Sequence, residues 1–128
     1  MADIYEQHGA AFNRVAAYVV LHDGEQVASV ALKYPTDGAG RLYAYVHWIG
    51  LEMTRGFAGG GGYDKKSAAV ANAAGKMPGI GADHRPAWLC GTALGDAYDV
   101  FVSAARRDDG HGWIRNLETA GFVVVQAV

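Results

Sequence analysis

The sequence predicts an α+β fold, an antiparallel β-meander of three to five strands with two or three helices packed on one face. Strand-forming residues fill three successive runs in the first part of the chain, and short turn signals separate them. A later alanine-rich stretch carries apolar residues at helical spacing. Because the chain has 128 residues, we expect one domain that spans residues 1–128.

The first two strands are predicted at residues 13–21 and 25–34, where β-branched residues are frequent. Between them lies Asp23-Gly24, a dipeptide typical of a two-residue hairpin turn because both residues tolerate a positive φ. The third strand, at 41–49, alternates between two faces. One face is an apolar core face, made of Leu42, Ala44, Val46 and Trp48. The other is aromatic with polar tips, which suits a half-covered face, and includes Tyr43, Tyr45 and His47. Residues 52–57 are a candidate fourth strand.

A helix is predicted at residues 64–76, with Asp64 as its N-cap and Gly75 as its C-terminal stop. Its small apolar residues fall at i, i+3, i+4 and i+7, which lets a helix lie close on a sheet: Val70, Ala73, Ala74 and Met77. Residues 78–95 are rich in glycine and proline and predict irregular chain.

The last third of the chain contains one ambiguous element. Residues 96–107 fit a helix capped by Asp96, but the β-branched residues in the middle also fit a strand. A short helix at 113–120, stopped by Gly121, and a final strand at 122–128 follow. Sequence alone leaves open whether that strand joins the same sheet.

Composition restricts the class of protein. A net charge of −2 lacks the basic excess of nucleic-acid-binding domains, so direct nucleic-acid binding is not expected. The single cysteine, Cys90, excludes an internal disulfide or a multi-cysteine zinc site. The five histidines lack metal-site spacing, and we expect neither metal nor cofactor. No signal peptide or apolar membrane-length run is found, so we expect a cytoplasmic location in a bacterial host cell.

The stretch GFAGGGGYDKKSAAVANAAG, at 56–75, is the most informative part of the sequence. A P-loop with Gly60 as its first glycine fails, because Lys65 stands where the second glycine is required. A looser anion site at 59–66 is an alternative, since glycines before a helix expose N–H groups and Lys65 and Lys66 add charge. The stretch also fits a hinge into the helix, or a partner-binding loop with exposed Phe57 and Tyr63.

The run GFAGGGGYDKKSAA, at 56–69, and the ending DGHGWIRNLETAGFVVVQAV, at 109–128, resemble small, uncharacterised proteins of bacteriophages and mobile elements. Many such proteins are anti-defence factors, anti-CRISPR proteins among them, which block a large nucleoprotein complex by binding it. The resemblance therefore implies a small phage or mobile-element protein that inhibits a bacterial defence complex without catalysis.

The expected contacts with such a partner are basic and aromatic residues on and after the meander: Arg55, Phe57, Tyr63, Lys65, Lys66, Tyr43 and Tyr45. No catalytic residue is predicted. The expected partner is a bacterial protein or nucleoprotein complex, and a homodimer formed through a sheet edge is a further possibility. The alternative function is a small phosphate- or nucleotide-binding protein or enzyme that uses the glycine-rich loop at 59–66.

Overall fold

The computed structural model of the chain describes residues 12–35, 41–58, 65–78, 91–107 and 110–127. These ranges contain five strands and three helices, which confirms the predicted α+β class. In chain order they are β1 (Phe12–His22), β2 (Glu25–Pro35), β3 (Leu42–Trp48), β4 (Thr54–Ala58), α1 (Lys65–Ala74), α2 (Ala93–Ala105), α3 (Trp113–Thr119) and β5 (Val123–Gln126). None of these helices has the length and apolarity needed to cross a membrane.

The five strands form one antiparallel sheet in the order β4-β3-β2-β1-β5. The hairpin between β1 and β2 turns at Asp23 and Gly24, whose φ angles are 52° and 82°. Two successive positive φ values match the turn that the Asp-Gly pair predicts. The final strand, left open by the sequence, joins the same sheet because β5 pairs with β1 on the side away from β2.

The hydrophobic core lies between one face of the sheet and the three helices. The predicted core face of β3 is buried along its whole length, at Leu42, Ala44, Val46 and Trp48. The predicted small-residue stripe is buried as well, at Val70, Ala73 and Ala74 of α1 and at Met77 shortly after it. Both periodicities therefore identified core residues correctly.

The ambiguous segment at 96–107 is helical as far as Ala105 and belongs to α2. Tyr98 and Phe101 of this helix are completely buried against the sheet, and burial of these rings outweighs the strand preference of its β-branched residues. The predicted cap is wrong. The N-cap is Thr92, which has an extended backbone and whose hydroxyl accepts the Gly95 N–H at 3.0 Å, whereas Asp96 lies inside the first turn.

A series of aromatic contacts connects distant parts of the chain. The ring of Trp48 on β3 lies 5.2 Å from that of Phe101 on α2. Phe101 is 5.8 Å from Phe122, just before β5, and Phe122 is 5.3 Å from His22 at the end of β1. Distances of this size are typical of favourable aromatic packing. The series therefore joins the central sheet, the second helix and the C-terminal segment.

Helix α1 approaches the edge strand β4 unusually closely at Gly56. A Cβ atom on this residue would lie 2.2 Å from the backbone nitrogen of Ala73. Beside this contact, the Thr54 hydroxyl donates a hydrogen bond of 2.8 Å to the Ala73 carbonyl oxygen. The C-terminal half of the helix is thereby fixed directly on the strand.

Side chains of the same helix region also close the outer edge of β4. Asn72 Nδ2 donates to the Phe57 carbonyl at 2.8 Å, and Lys76 Nζ donates to the Arg55 carbonyl at 2.7 Å. The two carbonyls are two residues apart, so they lie on the same side of the strand. Edge strands that expose unpaired backbone groups invite pairing with other chains, and these bonds occupy such groups on β4.

Candidate partner-binding face

The face of the sheet turned away from the described helices carries four of the predicted contact residues. Because side chains alternate along a strand, Tyr43 and Tyr45 of β3 lie on the side opposite the core. In β4 the same alternation places Arg55 and Phe57 there. We name this surface the aromatic face and define it by these four residues together with Arg41, which precedes β3.

Strand register brings these residues into direct contact. Tyr43 lies opposite Phe57, and Tyr45 lies opposite Arg55, across the β3–β4 pair. The rings of Tyr43 and Phe57 are 5.8 Å apart and inclined by 50°. Directly opposed side chains form the main unit of sheet stabilisation, so this cluster is held by the backbone pairing of the two strands.

Both arginines pack over aromatic rings of the aromatic face. The Arg41 guanidinium lies 5.0 Å from the centre of the Phe57 ring, and that of Arg55 lies 5.4 Å from the centre of the Tyr43 ring. The two arginines are exposed, and Phe57 is 39% exposed. Neither β3 nor β4 contains an acidic residue. The result is a positively charged surface in which cations and rings alternate.

A buried lysine, which is not one of the predicted contact residues, extends this arrangement. Lys33 of β2 is completely buried, and its Nζ lies 4.6 Å from the centre of the Tyr45 ring. Tyr45 itself is only 3% exposed, so it supports the aromatic face more than it contributes surface. Lys33 lies opposite Tyr43 in the sheet register. The alternation of side chains along β2 could have indicated its position, since it places Lys33 on the same side of the sheet as Tyr43.

The structure places Lys65 and Lys66 away from the aromatic face. Both belong to the first turn of α1, in the helical layer on the other side of the sheet. The predicted contact residues that the structure describes therefore lie in two regions, the aromatic face and the start of α1. Tyr63, and most of the glycine-rich loop at 59–66, lie outside the described residues.

Lys66 borders a groove of about 350 Å³ on the helical side. The groove is lined by residues from β1, α1, α3 and the two positions before α3: Tyr18, Lys66, His111, Gly112, Trp113, Ile114, Arg115 and Glu118. Its basic side chains come from two elements that are distant in sequence. This explains why Arg115 could not be associated with Lys66 from spacing alone.

A buried hydrogen bond aligns the two helices that border this groove. Ser67, only 1% exposed, accepts the backbone N–H of Trp113 at 2.8 Å through its Oγ. The rings of Tyr18 and Trp113, which both line the groove, are 4.9 Å apart in an edge-to-face arrangement. These contacts determine where the residues that flank Ser67 and Trp113 lie, including Lys66.

Within the residues that the structure describes, no group of three histidine, cysteine or acidic side chains is placed to hold a metal ion. His22 lies 3.6 Å from the carboxylate of Asp23 at the hairpin turn. His8, His84 and Cys90 lie outside the described residues. Comparison with protein-family models, with curated proteins and with solved structures returned no match to this chain.

Proposed function

We propose that the chain is a non-catalytic binding protein that inhibits a bacterial defence complex by engaging an acidic protein surface with its aromatic face. The observation that carries the proposal is the alternation of Arg41, Phe57, Tyr43 and Arg55 across two paired strands. Arginine and aromatic residues dominate the energetics of protein interfaces. The resemblance to phage and mobile-element proteins supports a defence complex in the bacterial host cell as the target.

The charge distribution favours a protein partner over nucleic acid. Affinity for nucleic acid arises largely from neutralising many phosphates, and the aromatic face offers two exposed arginines on a chain whose net charge is −2. A carboxylate-rich protein surface needs fewer cations, because each arginine can bind one carboxylate through two hydrogen bonds. The partner is therefore a bacterial protein, or the protein part of a nucleoprotein complex.

Phage plating tests the proposal in cells. Bacteria that each carry one defence system would express the chain, and we expect plating efficiency to recover for one of these systems. The purified defence complex would then be titrated with the chain. Arg55→Glu combined with Phe57→Ala should weaken binding at least about 30-fold, because the loss of a single hot-spot residue already costs about 2 kcal/mol or more.

The matched control reverses two charges on the other side of the sheet. Lys65→Glu combined with Lys66→Glu should leave the affinity unchanged, because these residues lie in the helical layer. A loss of affinity in this control, with normal binding by the Arg55→Glu and Phe57→Ala variant, would move the interface to the helical side. Salt-dependent binding of a single-stranded oligonucleotide that Arg55→Glu abolishes would assign the face to nucleic acid.

A second candidate function is binding of a phosphorylated small molecule, and the groove beside Lys66 favours it. Lys66, Arg115 and His111 border the groove, against a single carboxylate from Glu118. Its volume of about 350 Å³ lies within the range of small-molecule sites. Tyr18 provides an apolar wall suited to a ring. In this candidate site the main binding groups are side chains that border the groove, whereas the sequence predicted the glycine-rich loop at 59–66.

Thermal stabilisation by a nucleotide panel tests this candidate. A ligand that binds only the folded chain at a hundredfold excess over its dissociation constant stabilises it by about 2.7 kcal/mol. Lys66→Ala and Arg115→Ala should abolish the effect. Arg106→Ala, which removes an exposed arginine outside the groove, should retain it. No stabilisation by any compound in the panel would argue decisively against this function.

A further inference from the structure

The two edges of the sheet differ in how their backbone groups are used. On β4, side-chain nitrogens of Asn72 and Lys76 bind two carbonyls of the strand. On β5, at the opposite edge, no described side chain makes an equivalent contact with Val123, Val124 or Val125. This strand has the sequence VVVQ, so it contains none of the lysines or prolines that commonly protect edge strands.

One hydrogen bond determines which backbone groups of β5 point outward. Ala127 N–H donates to the carbonyl of Ala17 at 2.7 Å, and these two residues are opposite each other when the β1–β5 register is continued by one position beyond Tyr18 and Gln126. In an antiparallel pair, hydrogen-bonded and non-hydrogen-bonded positions alternate. Val125 and Val123 are therefore bonded to β1, whereas the N–H and the carbonyl of Val124 point away from β1 to the outer edge.

The side chains of β5 add an apolar surface to this edge. Val123 is 55% exposed and Val125 is 43% exposed. They lie on the same face, because they are two residues apart, and Val124 between them packs against the core. An outward backbone donor and acceptor are thus flanked by two exposed valines.

We propose that β5 pairs with β5 of a second copy of this chain, antiparallel and around a two-fold axis at Val124. In this register the N–H and carbonyl of Val124 bond reciprocally with those of Val124 in the second copy. Val123 then lies opposite Val125 of the second copy, and Val125 opposite its Val123. The edge is therefore self-complementary, as a two-fold interface requires.

Pairing at β5 produces a continuous ten-stranded sheet, because each copy contributes five strands. A two-fold axis perpendicular to the sheet keeps the helices of both copies on one side and both aromatic faces on the other. The inference does not rest on the proposed function, since it depends only on β5 and its pairing with β1.

Sedimentation over a wide concentration range tests this dimer. We expect the mass to rise from 13.5 kDa towards twice that value at protein concentrations up to the order of 1 mM, because a small interface binds weakly. Val124→Pro should abolish the rise. It removes an N–H that points away from β1, and proline is tolerated at such edge positions.

A second variant keeps the inference testable if the proline disturbs folding. Val123→Lys combined with Val125→Lys places like charges at the proposed β5–β5 interface and should also leave the chain monomeric at every concentration. Val100→Lys is the matched control, because Val100 is a 45% exposed valine on α2, and this variant should dimerise like the unmodified chain. A constant mass of 13.5 kDa for the unmodified chain, or a dimer that persists in the double lysine variant, would overturn the inference.

Discussion

Replacing Gly56 by alanine should be among the most destabilising single-methyl additions in this protein. The added Cβ would lie 2.2 Å from Ala73 N, 2.6 Å from the carbonyl carbon of Asn72 and 2.7 Å from Ala73 Cα. All three are backbone atoms of α1, so a side-chain rotation cannot relieve the contact. The φ angle of Gly56 is not positive, so alanine can adopt the same backbone conformation. A loss of stability would therefore come from the steric contact.

The expected magnitude follows from opposing terms. Without the contact, alanine in a strand would stabilise the protein by about 0.5–1 kcal/mol relative to glycine. Carbon atoms normally approach to about 3.5 Å, so the helix must move by roughly 1 Å, and overpacking of this kind costs about 1–3 kcal/mol or more. The movement also strains the hydrogen bonds of Thr54, Asn72 and Lys76 between β4 and the α1 region, each of which contributes about 1 kcal/mol. We expect a net loss of about 3 kcal/mol.

Thermal and denaturant unfolding would measure this loss. For a domain of this size, about 3 kcal/mol corresponds to a decrease in Tm of roughly 10 to 15 °C. Gly75→Ala is the matched control, because its Cβ would meet only ordinary contacts at 3.4 Å and 3.5 Å, and we expect no loss of stability there. If Gly56→Ala unfolded within about 2 °C of the unmodified protein, the close approach of α1 to β4 would be refuted.

Two further substitutions test individual hydrogen bonds. Ser67→Ala should cost about 1–3 kcal/mol, because it leaves the buried N–H of Trp113 without its acceptor, whereas Ala at the exposed Ser103 should have no effect. Denaturant titration of both variants measures these free energies of unfolding, and equal values for the Ser67 and Ser103 variants would contradict the prediction. Thr54→Val should lower the free energy of unfolding by about 1 kcal/mol, because it loses the hydrogen bond to the Ala73 carbonyl. Thr54→Ser keeps the hydroxyl and should retain most of this stability in the same titration.

Local sequence patterns predicted the sheet because its determinants are local. Alternation in β3 assigned Trp48 to the core and Tyr43 to the other face, and the Asp23-Gly24 turn located the first hairpin. The segment at 96–107 stayed ambiguous, since its outcome depended on burying Phe101 against Trp48, residues far apart in sequence. The N-cap was missed although a threonine, a common cap, preceded the helix.

The candidate site was predicted only in part for a related reason. Arg55, Phe57 and Tyr43 were correctly grouped near one another, because neighbouring strands of a meander place them side by side. Lys66 was grouped with them through proximity in the chain. The direction in which the chain leaves β4 to start α1 places it on the other side of the sheet, and this direction is a tertiary property.

The aromatic series from Trp48 through Phe101 and Phe122 to His22 has a consequence for unfolding. It joins segments that begin near residue 22 and end near residue 122, so loss of the C-terminal segment would expose rings in the centre of the molecule. Cooperative loss of all these contacts implies a single transition. Far-ultraviolet circular dichroism and tryptophan fluorescence should therefore report the same midpoint, although one follows the backbone and the other the indole environment.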